Sequence, residues 1–285
     1  MPELPEVEVL VRHLTPLLKN KTIRGVAVRR SKVLAPTSEG ELIKALLGAT
    51  FAGLERRGKY LLFTLRGPGK AAASFTLVGH LGMTGRIYLL PKKGPLPKHA
   101  AVVLDLGRHH FIYEDTRYFG RLTLDLRGPA KLGPEPLGPD FTVDYFALAL
   151  KRSAQSIKVK LLDQTLVAGV GNIYANEALF RAGISPRLAA RRLTKEQVKR
   201  LRTAIREVLT QAIRLGSTLP LDFGGDGARD GLFYYGSAGN ASEFYQERLL
   251  VYDRQGRECV KCGIGVRRLV QAARSTFYCP RCQRA

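Results

Sequence analysis

Along the first eighteen residues, Val7, Leu10, Val11, Leu14, Leu17 and Leu18 recur at helical spacing, which predicts an amphipathic helix beginning just after the Pro-Glu-Leu-Pro-Glu stretch. The period then changes. Segments Thr22–Arg29, Thr50–Arg57, Tyr60–Leu65, Phe75–Val78, Gly85–Leu90, Ala101–Leu106, Phe111–Glu114 and Gly120–Leu126 are short, β-rich and bounded by Gly, Pro or charged turns. Strands in that number bury their apolar faces most economically as a β-sandwich or flattened barrel, so residues 1–135 are expected to form one domain. A proline- and glycine-rich stretch, Leu132–Phe141, ends this regime, and helical periodicity returns in a second domain over 150–245. There Thr194 and Gln197 make a capping-box signature ahead of a long helix whose buried face is Val198, Leu201, Ile205, Val208 and Ala212. Upstream, Gly169 and Gly171 precede Asn172, which reads as the N-cap of a helix running to about Arg181, stopped by Gly183 and Pro186. The fold class is α+β.

Charge narrows the function. Over 285 residues, 46 Lys and Arg face 24 Asp and Glu, a net +22. A polyanion relieves such self-repulsion, and nucleic acid fits better than a membrane because the basic residues are spread along the chain rather than gathered on one amphipathic helix or tail. Binding should therefore weaken steeply with salt. A basic RNA-binding or ribosome-associated protein remains compatible with charge alone. The composition, 45% hydrophobic and 25% charged, excludes disorder. No apolar run of membrane-spanning length occurs, and the acidic N-terminus is unlike a signal peptide, so a cytoplasmic protein is expected.

The four cysteines, Cys259, Cys262, Cys279 and Cys282, form two C-x2-C pairs sixteen residues apart. In a reducing compartment that spacing favours four thiolates around one structural Zn²⁺ over disulfides, structural thiols or a redox pair. Between the pairs the sequence reads as a hairpin, giving a zinc ribbon over 250–285, with seven basic residues against one acid from Arg257 onward. The glycine turn before Asn172 opens a helix, where free backbone N–H groups suit a phosphate; a plain helix connection explains the same glycines. The spacing is not a dinucleotide fingerprint, and no nucleotide cofactor is expected.

Six stretches, in order along essentially the whole chain, carry a resemblance: MPELPEVE, RRGKYLL around Lys59, HLGMTG around Met83, DTRYFG at 115–120, GVGNIYANEALF at 169–180 and the cysteine ribbon. Together they are similar to the bacterial formamidopyrimidine-DNA glycosylases, base-excision repair enzymes for oxidised purines. The resemblance implies a helix-two-turns-helix in the second domain, a monomer, and duplex DNA with 8-oxoguanine or formamidopyrimidines as substrate.

It implies that Pro2, freed of Met1, attacks the sugar C1′ as a secondary amine and forms an iminium, an electron sink that couples base removal to β-elimination. An unrelated chain would use Pro2 only to start a helix. Glu3 becomes the general acid and base, Lys59 a phosphate contact and proton donor, and Arg274 the hairpin-tip residue that assists δ-elimination. Met83, Arg117 and Phe119 match the residues that fill the hole left by the everted base, although spacing alone allows Met83 and Phe119 to be core. His99, Lys158 and Asn172 match DNA contacts.

Some positions depart from the family pattern. Thr116 and Tyr118 replace a proline and a second basic residue, which bears on the stiffness of that loop, and Ala101 stands where a second histidine is usual. The glycine-rich segment 216–239 matches the base-capping loop in position more than in sequence. Two other readings are an endonuclease VIII-like enzyme for oxidised pyrimidines and a catalytically silent binder of damaged DNA.

Overall fold

The computed structural model describes residues 2–69, 73–215 and 249–284. These residues form two compact units, one of Pro2 with Glu6–Ala130, the other of Glu3–Pro5 with 131–215 and 249–284. Helix α1, Leu4–Leu18, starts earlier than its periodicity indicates, because Pro5 in the first turn forfeits an N–H that has no helical partner there. Its stripe of Leu4, Val7, Leu10, Leu14 and Leu18 is buried.

The first unit contains eight strands: β1 Gly25–Val28, β2 Thr50–Arg57, β3 Tyr60–Arg66, β4 Ser74–His80, β5 Gly85–Pro91, β6 Ala100–Asp105, β7 His109–Asp115 and β8 Arg121–Thr123. They form two antiparallel four-stranded sheets, ordered β1-β6-β7-β5 and β2-β3-β4-β8. Strand β3 alternates, burying Leu61, Phe63 and Leu65. Phe51 of β2, Phe63 of β3 and Phe111 of β7 join the sheets, with ring centroids 5.7–6.1 Å apart. Burying each such ring contributes roughly 2–3 kcal/mol. The sandwich is the expected one. An unexpected helix, α2 Glu39–Leu46, sits between β1 and β2 in sequence, started by a capping box of Ser38 and Glu41.

The second unit holds helices α4 Val143–Lys151, α5 Ile157–Leu161, α6 Asn172–Ala182 and α7 Lys195–Arg214; a short α3, Arg127–Ala130, ends the first. The Thr194–Gln197 capping box opens α7, and all five predicted face residues are buried. In α6, every residue from Ile173 to Phe180 is buried, so this helix has no solvent stripe. Gly183, at φ +68, ends it. The ribbon hairpin is β9 Arg267–Gln271 and β10 Arg274–Tyr278, turned by Ala272 and Ala273 at φ +46 and +56. Both turn residues take the left-handed conformation that two-residue hairpin turns require. Among the described residues, no helix is long and apolar enough to cross a membrane.

Candidate active site

In the second unit, the polar chemistry is built on the N-terminus of α6. Glu3 is 1% exposed, and its carboxylate accepts the N–H groups of Ile173 at 2.8 Å and Tyr174 at 3.4 Å. First-turn amides lack helical partners, and the positive helix end favours an anion. Gly171 makes room, since a Cβ there would collide with the carboxyl group of Glu3. At Gly169, φ +82, a Cβ would meet Leu4 at 2.6 Å, while the Gly169 carbonyl accepts the Leu4 N–H.

The glycine turn expected to hold a phosphate on free amides thus seats the chain's own carboxylate. Two of those amides are already used. Asn172 is also not the cap: Gly171 occupies that position, and Asn172 is the first helical residue. Its Nδ2 donates to the Ser275 carbonyl at 3.0 Å, while its buried Oδ1 has no hydrogen-bond partner.

Lys158 is fully buried, and its Nζ likewise has no hydrogen-bond partner. Burial pushes its ammonium down to about 8; the charge of Arg274 pushes the same way and that of Glu3 opposes it. Arg274 is exposed at the start of β10.

Two residues not singled out from the sequence fasten this arrangement. Glu177, 3% exposed, accepts the N–H groups of Leu250, Val251 and Tyr252, each at 2.9 Å. Burial raises its pKa even though the three amides favour the carboxylate. Asn176 accepts the Phe277 N–H at 2.7 Å and donates to the Asn172 carbonyl. Adjacent positions of α6 therefore hold the backbone at the start of the ribbon and in its second strand. An Asn-Glu pair in a helix ordinarily reads as solvated surface, and only burial on all sides reveals its work.

The four cysteine sulfurs lie within 4.8 Å of one another, with Cys259–Cys282 at 3.9 Å and Cys262–Cys279 at 3.5 Å. Tetrahedral Zn–S bonds of about 2.3 Å place sulfurs about 3.8 Å apart, so the set fits one Zn²⁺. Amides of Lys261 and Cys282 donate to the sulfurs of Cys259 and Cys279, as suits thiolates.

In the first unit the expected contacts are displayed on turns. Lys59 is 8% exposed in the β2–β3 turn, following Gly58 at φ +57. His80 packs on Tyr60 with ring centroids at 4.8 Å; burial first, then the charges of Lys59 and Arg121, push its imidazole down to about 4. Met83 and Phe119 are 38% and 50% exposed, so neither is core. The Arg117 guanidinium lies 4.8 Å over the Phe119 ring. His99 is partly exposed in the loop before β6. Pro2 is partly exposed, and the 216–239 segment lies outside the described residues.

The family model for the formamidopyrimidine-DNA glycosylase N-terminal domain matches residues 1–122, that for the H2TH domain of the same glycosylases matches 132–221, and a zinc finger found in FPG and IleRS matches 256–285. The chain belongs to the formamidopyrimidine-DNA glycosylase family. A formamidopyrimidine-DNA glycosylase of Carboxydothermus hydrogenoformans is 39% identical over 284 residues, covering all of both chains. The Lactococcus lactis Fpg solved with DNA containing N7-benzyl-Fapy-dG is 33% identical with a TM-score of 0.85, and a MutM solved with DNA containing carbocyclic 8-oxo-G is 34% identical with a TM-score of 0.85; each is covered completely, as is this chain. With the zinc-finger match and the sulfur geometry, the four cysteines hold the one structural zinc of this glycosylase fold.

Proposed function

We propose that this family member works as a bifunctional glycosylase and abasic-site lyase, with the residues below in the stated roles. It is a DNA glycosylase for oxidised purines, and its substrate is damaged duplex DNA. Pro2, with Met1 removed, uses its nitrogen lone pair to bond C1′ while the bond to the base breaks and the base leaves with a proton. A proton delivered to O4′ then lets the C1′–O4′ bond break, and the electron pair on nitrogen forms the iminium; this acidifies the C2′ proton, whose loss breaks the 3′ C–O bond, and a second elimination releases the 5′ phosphate, leaving a one-nucleotide gap.

Glu3 moves the protons at the sugar, held still by the α6 amides. Lys59 and Arg274 serve phosphates and the eliminations. Lys158 meets the DNA backbone with an ammonium that the protein leaves without a hydrogen-bond partner, Asn172 contacts the same strand through its amide Nδ2, and Met83, Arg117, Phe119 and His99 occupy and flank the hole left by the everted base. The cytoplasm is the compartment consistent with reduced cysteines. The observation that carries this reading is Glu3, next to Pro2 in the chain, buried yet supplied with two fixed N–H donors. Borohydride quenching of a reaction with 8-oxoguanine duplex tests it. A protein–DNA adduct is expected, lost when Pro2 is changed to Gly or Met1 is retained; no adduct from the unaltered protein overturns it, as does full strand cutting by the Pro2 variant.

A further inference from the structure

Asp115 stands at the end of β7 and is completely buried. Its Oδ1 accepts the Thr84 hydroxyl at 2.6 Å and the Arg117 N–H at 3.1 Å, its Oδ2 accepts the Gly120 N–H at 2.8 Å, and its own N–H donates to the His99 carbonyl at 3.2 Å. One residue therefore bonds three separate segments, and each carries an expected DNA contact: Met83 next to Thr84, His99, and the Arg117–Phe119 turn.

The segments also touch without side chains. A Cβ on Gly82 would lie 2.6 Å from the Gly120 amide nitrogen, and one on Gly120 would collide with the Tyr113 hydroxyl, which itself donates to the His80 carbonyl at 3.1 Å. The turn is held in a conformation it would not choose freely. Tyr118 has φ +55, uncommon for a residue with a side chain, and no proline precedes Arg117 to stiffen the loop. The bonds from Asp115 to the amides on either side of Tyr118 supply the missing constraint.

We infer that Asp115 is a positioning residue that locks the loops bearing Met83, His99, Arg117 and Phe119 into one rigid body, so that they enter the duplex together rather than independently. This rests on the proposed role of those side chains as fillers and goes beyond it by naming what sets their geometry. An aspartate with three donors around it is costly to disturb, because any replacement leaves buried N–H or hydroxyl groups unpaired. A misplacement of about 1 Å in a positioned group is enough to cost about a hundredfold in rate.

Asp115→Asn keeps the volume but turns one acceptor into a donor facing donors. Excision of 8-oxoguanine from duplex is expected to fall by about twentyfold or more in kcat/KM, while cleavage of a single-stranded oligonucleotide with a preformed abasic site, which needs no base eversion, stays within about twofold. Thr84→Val removes only the cross-loop bond and is expected to lower duplex excision about fivefold, with single-stranded cleavage unchanged. Equal losses on both substrates, or no loss on duplex from either variant, overturn the coupling. Met83→Ala and Phe119→Ala separate the two ideas: if these leave duplex excision intact the filler reading fails, whereas if they lower it and the Asp115 and Thr84 variants do not, only the locking of the loops fails.

Discussion

The two units present their chemistry in opposite ways. In the β-sandwich unit, Met83, Arg117 and Phe119 stand out in solvent on turns, Lys59 is buried within its own turn, and the carboxylate behind Arg117 and Phe119, Asp115, is buried as well. In the helical unit Glu3 and Lys158 are themselves buried and Asn172 is half-buried, while Arg274 is exposed: Glu3 is satisfied by helix amides, and Lys158 Nζ and Asn172 Oδ1 have no hydrogen-bond partner. Sheets end in turns, so a sandwich displays side chains and must stiffen the turns from beneath. A helix buried on all sides offers its terminus, where unpaired amides fix an anion directly. The first arrangement costs little stability per functional residue; the second stores an electrostatic penalty until a ligand arrives.

That contrast can be broken most severely at the ribbon. Its apolar core is small, chiefly Phe180, Val251, Val266 and Phe277 with two of the cysteines, so metal binding provides much of its folding free energy. Zinc removal by chelation, or Cys279→Ser, is expected to abolish strand cleavage and duplex binding while the β-sheet circular dichroism persists; metal analysis alongside gel assays checks it. Next comes Gly171→Ala. The added methyl displaces Glu3, so kcat is expected to fall about a hundredfold and the melting free energy by about 1–3 kcal/mol, read from single-turnover kinetics and thermal melts.

Lys158→Met sharpens the contrast, because it should strengthen the fold and weaken the function. Removing a buried unpaired cation is expected to add about 1–3 kcal/mol, a rise of several degrees in Tm, and to weaken abasic-duplex binding about tenfold. The pH dependence has a definite sign. The folded ammonium titrates near 8, below its ordinary 10.5, so the penalty is complete below about pH 8 and disappears as pH climbs towards 10.5. The Tm gap between variant and parent should narrow over that window, as should the gap in affinity; a constant gap excludes Lys158 as its source. The smallest effect on folding belongs to Phe119→Ala. With half of its surface already exposed, stability should stay within about 0.5 kcal/mol while duplex excision falls about tenfold.

Much of the fold was legible. Short β-rich runs bounded by Gly, Pro or charged turns located every strand of the sandwich, and the Thr194–Gln197 box located the start of α7, because those signals are local. Helix α2 also announced itself through Ser38 and Glu41 but lay inside a region dominated by β-type spacing. The site was legible unevenly. Exposure of Met83 and Phe119 was not readable from spacing, since a turn-bounded apolar residue points inward as readily as outward. Asp115, Asn176 and Glu177 carried no signal of their own; a carboxylate's partners here are backbone amides, and amides look alike at every position of a sequence.

By itself the sequence determined the two periodic regimes, the excess positive charge, the thiolate spacing for zinc and the pairing of Pro2 with Glu3, all of which depend on residue order over short distances. Only the tertiary structure decided which anion occupies the α6 terminus, that Lys158 is buried without a hydrogen-bond partner, and that one aspartate joins three loops. Those outcomes depend on long-range packing, which sets the local dielectric and decides which of many equivalent donors comes within hydrogen-bonding distance of a given carboxylate.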